Sequence, residues 1–173
     1  MNYGSGVVAE GTGIVLQNRG AYFSTQPGHP NVYEGGKRPV HTLSPPMFLR
    51  DGVPEVVFGT MGGDGQPQIL LQFLHQLIDR GLDVQHALDH PRWVYGRHQL
   101  TERPELKTGE MVLVESRMPE DIVGGLLRRG HQVEALGPFE NAMGHAHAIV
   151  VDRARGTLAG GSDPRADSLA LGL

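Results

Sequence analysis

The sequence contains no cysteine, which excludes a disulfide framework, a thiolate nucleophile and a cysteine zinc site. No apolar run approaches the roughly 20 residues of a membrane-spanning helix, and the N-terminus lacks the apolar core of a signal peptide. Basic residues number 15 against 19 acidic ones, a net charge of −4, so no polyanion-binding surface is advertised. These absences read as a chain with no nucleic-acid and no membrane partner, cytoplasmic as it stands. Periplasmic or extracellular placement stays open for a longer precursor. No short period repeats, which excludes collagen and solenoids. Glycine and proline are in excess, 25 and 12 of 173 residues, about a fifth against the usual one in eight or so. An apolar fraction of 39% with mixed charges argues against disorder, and the length suits one domain over residues 1–173.

The first stretch reads as short strands broken by glycine: Val7-Val8-Ala9 and Ile14-Val15-Leu16 around Glu10 to Gly13. From Ser24 to Pro46 turn formers dominate and no periodicity survives, which suits either a functional loop or a tolerated insertion. Met47 to Leu49 and Glu55 to Phe58 flank Asp51-Gly52, a pair suited to a tight hairpin. A second hairpin is expected where Ala146 to Val151 and Thr157 to Ala159 flank Asp152 to Gly156, with further strands over Met111 to Glu115 and Gln132 to Leu136. Ile69, Leu70, Phe73, Leu74, Leu77 and Ile78 recur at helical spacing after Pro67, with Gly81 as the stop. A second helix is predicted from Pro119 to Arg129, with Ile122, Val123, Leu126 and Leu127 inward and Gly130 as its stop; a shorter one spans Val84 to Leu88. Hairpins and helices segregated in this way favour an α+β layered domain over alternating βαβ units.

Three constellations could carry chemistry. Gly59 to Gly65 leave a buried strand and open the strongest helix, so backbone N–H groups there could hold an anion or oxyanion. The alternative is a plain strand-to-helix turn, which local grounds alone favour. No lysine follows the glycines, so neither the phosphate loop nor the dinucleotide fingerprint fits. His145 and His147 alternate and would share a strand face, but two histidines make a weak metal signal, and a packed pair is the stronger reading. His75 and His86 fall on helices, on polar faces. Gly161 to Arg165 looks like a compact turn in which Asp163 accepts backbone N–H groups and Arg165 pairs with a carboxylate, a structural use. No serine sits in a nucleophile-elbow setting. No cofactor and no metal site are implied.

An ordered set of short motifs runs through the chain. Gly4-Ser5-Gly6-Val7-Val8 and Gly11-Thr12-Gly13-Ile14 lead to Pro30-Asn31, Gly36-Lys37-Arg38-Pro39 and Ser44-Pro45. Gly62-Gly63, Asp89-His90-Pro91-Arg92 and Ser162-Asp163-Pro164-Arg165 follow. From about Tyr3 onward this succession resembles the small subunit of the γ-glutamyltranspeptidases and their cephalosporin-acylase-like relatives. The resemblance implies a four-layer αββα N-terminal-nucleophile hydrolase fold, here as its small-subunit portion. It also implies a precursor that cleaves itself so that a new N-terminal threonine, with its own α-amine as base, takes an acyl group from a small-molecule amide. Gly62 and Gly63 would then stabilise the oxyanion, which reverses the local preference.

The departures are equally specific. The expected Thr-Thr segment ahead of Gly4 does not occur and no large-subunit sequence is present, so the missing N-terminal segment becomes the expected partner. Aligned on Leu16-Gln17-Asn18, the positions that hold a glutamyl α-amino group are Arg19 and Tyr22, which cannot replace a carboxylate as partners for an ammonium. The serine pair that binds the α-carboxylate aligns with His41 and Thr42, which keep donor capacity. An acyl group without the α-amine, glutaryl or similar, is therefore expected, unless Arg19 points into solvent. The competing expectation is a non-catalytic remnant that associates as a homodimer. A metal role for His145 and His147 ranks third.

Overall fold

The computed structural model describes residues 4–96 and 110–172. The chain groups into two compact units, Met1–Leu43 and Ser44–Leu173.

In the first unit the two expected strands shrink to one antiparallel bridge, Val8 to Val15. Leu16 N–H donates to Val7 O at 2.8 Å, and Ala9 N–H to Ile14 O at 2.9 Å. Two such short segments gain little cooperativity without a third to pair with. Gly4 is held at φ +57, and a Cβ there would lie 2.8 Å from Leu16 O, so the pair closes only with glycine. Residues 24–46 carry turns and a single parallel bridge, Ser24 to Val32, in keeping with their turn-former density.

The second unit holds both predicted hairpins. β1 (Met47–Arg50) and β2 (Val53–Met61) turn through Asp51 at φ 52 and Gly52 at φ 76, the doubly left-handed turn that suits strand twist. β6 (His145–Asp152) and β7 (Thr157–Ser162) complete an antiparallel sheet in the order β1-β2-β6-β7. A second sheet has the order β3-β4-β5, from Trp93–Tyr95, Val112–Glu115 and Val133–Leu136.

α1 (Gln66–Leu74) continues through a wider turn, His75–Asp79, and stops before Gly81 at φ +69. It serves two cores. Leu70 and Phe73 join Val56, Phe58, Ala146 and Ala148 on the four-stranded sheet, whereas Ile69 joins Val94, Leu113, Leu136 and Met143 on the three-stranded one. Phe73 and Phe58 meet with ring centroids 5.5 Å apart; burying each such ring is worth roughly 1.5–3 kcal/mol. α2 (Val84–Asp89) is capped by Asp83, which accepts from Gln85 N–H at 3.1 Å and His86 N–H at 3.0 Å. His75 and His86 stand exposed beside Asp79 and Asp83, on polar faces as expected.

Two local expectations need correcting. Among the described residues, α3 (Glu120–Arg128) packs Val123 and Leu126 on Val112, Val114, Met118 and Val133, while Ile122 and Leu127 are about half exposed. The strands beneath have three or four residues and are narrower than the apolar arc of the helix. In addition, β4 and β5 pair in parallel with α3 as their crossover, one βαβ unit inside an otherwise antiparallel design.

Candidate functional site

β2 ends at Met61, and the chain turns through Gly62 at φ 153 and Gly63 at φ 54 into a short turn, Gly63–Gly65, ahead of α1. A Cβ on Gly62 would lie 2.9 Å from Ile69 Cδ1, so glycine is required by contact as well as by φ; one on Gly63 would meet open space. Gly62 O accepts from Gly65 N–H at 2.9 Å, and Gly63 O accepts from the buried Gln66 side chain at 3.2 Å. Across a trans peptide the C=O and N–H point in opposite directions. Tying these two carbonyls toward the helix start therefore aims the N–H groups of Gly63 and Asp64 the other way. A donor presented in this way, with the positive end of α1 behind it, is what an anion or oxyanion would require.

A buried ionic cluster holds the start of β6, which pairs with the end of β2 ahead of this turn. Glu115, fully buried at the end of β4, accepts from Arg165 through Nε and Nη2, both at 2.6 Å. It also accepts from the backbone of Arg92 and Glu140 and, at 3.0 Å, from Arg117 Nη2. Asp163 accepts from Ala146 N–H at 2.6 Å and pairs with Arg92 at 2.7 Å and Arg165 at 3.1 Å. Arg92 spends further donors on Met143 O at 3.1 Å and Gly144 O at 3.3 Å. Burial pulls the Arg92 guanidinium down to about 10, with Arg165 adding to the fall. Burial alone would raise Asp163, but Arg92 and the N–H donors hold it below the usual carboxylate range. Arg165 stays above the ordinary arginine value despite its burial, through its bonds to Glu115. The cluster joins the ends of β3 and β4 to those of β6 and β7, so it fixes one sheet against the other.

The Asp163 and Arg165 roles match the sequence expectation. Arg92 and Glu115 were not foreseen, although a carboxylate closing the wholly buried run Val112–Glu115 was the available signal.

The residues expected to contact the acyl group lie in the first unit. Half-buried Arg19 opens the turn Arg19–Tyr22, and Tyr22 is half exposed at its end. His41 is exposed and Thr42 half-buried on the segment after Val40. One unforeseen side chain ties both stretches together: Asn31 Nδ2 donates to Tyr22 O at 2.7 Å, and its Oδ1 accepts from Val40 N–H at 3.0 Å. His145 and His147 share a face of β6, as alternation requires, and among the described residues no three metal-ligating side chains cluster.

The family model described as Gamma-glutamyltranspeptidase matches residues 1–173. The chain belongs to the γ-glutamyltranspeptidase family. It is 42% identical to a glutathione hydrolase-like proenzyme of Bacillus subtilis, over 99% of this chain and 31% of that protein. It is 41% identical to the oxamate amidohydrolase proenzyme of Klebsiella pneumoniae, over 98% of this chain and again 31% of the relative. Among solved structures, cephalosporin acylase from Bacillus halodurans superposes with a TM-score of 0.75 at 44% identity, covering 96% of this chain and 29% of its own. γ-Glutamyltranspeptidase from Pseudomonas nitroreducens gives 0.70 at 28% identity, covering 99% of this chain and 88% of the matched one. The chain thus spans about a third of the length of the curated relatives, and its α+β fold is that of the small-subunit portion of N-terminal-nucleophile hydrolases of this γ-glutamyltranspeptidase and acylase type.

Proposed function

We propose that this chain is the oxyanion-bearing portion of an amidohydrolase or acyltransferase that works with a preceding segment of its precursor. The Gly62–Gly63 turn carries the reading, because its carbonyls are tied toward α1 and a donor is aimed away. In the proposed cycle the threonine Oγ attacks the amide carbonyl while its proton passes to the threonine's own α-amine. The carbonyl oxygen becomes an oxyanion facing the Gly63 N–H of the Gly62–Gly63 turn. Collapse expels the amine, which takes the proton, and leaves an acyl ester for water or an amine to resolve. The preceding segment is supported by the partly open face of the four-stranded sheet, where Met47, Val57, Ile149 and Leu158 stand exposed although Ala170 lies against Gly160. Such a face suits the second sheet of the αββα arrangement. Expression of the full precursor should give self-cleavage into two chains and turnover of a glutaryl anilide. A precursor that stays whole and turns over neither glutaryl nor γ-glutamyl anilide sinks the reading.

The acyl group, in this proposal, carries a carboxylate and no α-amine. Arg19 and Tyr22 offer no anion to an ammonium, whereas Arg19, His41 and Thr42 offer donors to a carboxylate. Relatives named for oxamate and for cephalosporin agree with a donor other than a γ-glutamyl amide. Changing Arg19→Gln together with Tyr22→Asp should shift the kcat/KM ratio toward γ-glutamyl donors by roughly ten- to hundred-fold, the worth of one charge-assisted hydrogen bond. An unchanged ratio removes these residues from the acyl pocket.

A further inference from the structure

His145 Nε2 is buried and has no hydrogen-bond partner among the described residues. A polar atom left in that state costs on the order of 1–3 kcal/mol, so its retention asks for a reason. Its place in the fold supplies one. His145 opens β6 directly opposite Met61, the residue before Gly62. The preceding Gly144 sits at φ +77, where a Cβ would fall 2.5 Å from Met61 O and 2.9 Å from Ile69 Cδ1. A Cβ on Gly62 would meet that same Ile69 methyl at 2.9 Å, so the two backbones are packed against one buried atom.

Both peptides flanking the imidazole are held by the ionic cluster, through Arg92 to Gly144 O at 3.3 Å and Ala146 N–H to Asp163 at 2.6 Å. Ala146 and Ala148 enter the helix-covered core, so His145 and His147 take the opposite face of the sheet. Elsewhere that face is apolar at Met47, Val57, Ile149 and Leu158; at the end from which the Gly62–Gly63 turn emerges it carries His145, His147 and Ser162 beside Met61. Burial holds the His145 imidazole below its ordinary pKa. His147, Arg92 and Arg165 push the same way against Asp163, so the ring is neutral near pH 7 and keeps an acceptor nitrogen.

We infer that His145 is a positioning residue of the proposed site, its Nε2 accepting a hydrogen bond from an N–H group brought to the Gly62–Gly63 turn. Two groups in the proposed reaction have that chemistry: the α-amine of the nucleophile and the scissile amide of the substrate. The inference rests on the amidohydrolase reading.

The test uses the full-length precursor with His145→Leu, which keeps apolar volume without an acceptor, and His145→Gln, which restores one. The leucine variant should melt at or slightly above the wild-type temperature while kcat on the glutaryl anilide falls about ten- to hundred-fold, and glutamine should recover most of the loss. A glutaryl ester, which has no scissile N–H, separates the sources. Loss on amide and ester alike, or a folded leucine variant that fails to self-cleave, assigns the bond to the nucleophile's nitrogen, a peptide N–H before self-cleavage and the amine after it. Loss confined to the amide assigns it to the substrate. A leucine variant as active as wild type on both donors overturns the inference. So does a loss that merely tracks unfolding and that glutamine does not relieve. A wild-type precursor that neither cleaves itself nor turns over either donor overturns the amidohydrolase reading itself, and this inference with it.

Discussion

Replacing Arg165 with leucine is expected to cost about 3–5 kcal/mol of folding stability. The reason lies in what the change leaves behind. Glu115 is fully buried and relies on the Arg165 fork at 2.6 Å on each oxygen. Backbone N–H groups of Arg92 and Glu140 remain, and Arg117 keeps one contact at 3.0 Å from a partly exposed side chain, so the compensation is only partial. Asp163 loses its 3.1 Å partner at the same time, and Leu88 O and His90 O lose donors at 2.9 Å. Lysine at 165 should recover part of the loss, since it keeps the charge but cannot span both carboxylate oxygens. The comparison is Arg50→Ala, which breaks an exposed pair with Glu55 and should leave the unfolding midpoint unchanged. Urea denaturation of the three variants decides the matter. Arg165→Leu no more harmful than Arg50→Ala would mean that the cluster does not hold the sheets together.

That cluster also marks the limit of what the sequence makes legible. Elements whose cause is local could be read directly: the Asp51-Gly52 hairpin, the helices stopped at Gly81 and Gly130, and the parity that sets Ala146 and Ala148 inward. The Ser162 to Arg165 turn was legible because Asp163 can bond its own neighbours, as it does to Arg165 N–H at 2.9 Å. Contacts across long separations were not. Glu115 and Arg165 lie fifty residues apart, and neither local pattern specifies the other. Ile122 and Leu127 misled for a related reason, because helical spacing shows which residues are apolar but not how wide a surface awaits them. Asn31 bridges Tyr22 and Val40 through a loop without periodicity, so only its presence in a motif could hint at a role. The glycine pair stood in between. Its turn was visible in composition, and its chemistry needed the two tied carbonyls.

Gly62→Ala should lower kcat of the self-cleaved precursor by about 10²- to 10³-fold, the usual loss when an oxyanion donor is displaced. The methyl group would arrive 2.9 Å from Ile69 Cδ1, and Ile69 is fully buried between α1 and the three-stranded sheet, so it has little freedom to retreat. A backbone at φ 153 adds strain for any residue with a Cβ. The turn must therefore move, and the Gly63 N–H moves with it. Gly63→Ala provides the contrast. Its methyl meets open space, so only the left-handed strain of about 1–2 kcal/mol at φ 54 remains, and the effect on kcat should be much smaller. The displacement argument also predicts a rescue. Ile69→Val removes the atom that the new methyl would strike, at a cost of roughly 0.5–1.5 kcal/mol in stability. Gly62→Ala with Ile69→Val should thus turn over substrate faster than Gly62→Ala alone. Equal kcat for the single and double variants would trace the defect to the backbone angle alone, and an unchanged kcat in Gly62→Ala would take the oxyanion role away from this turn.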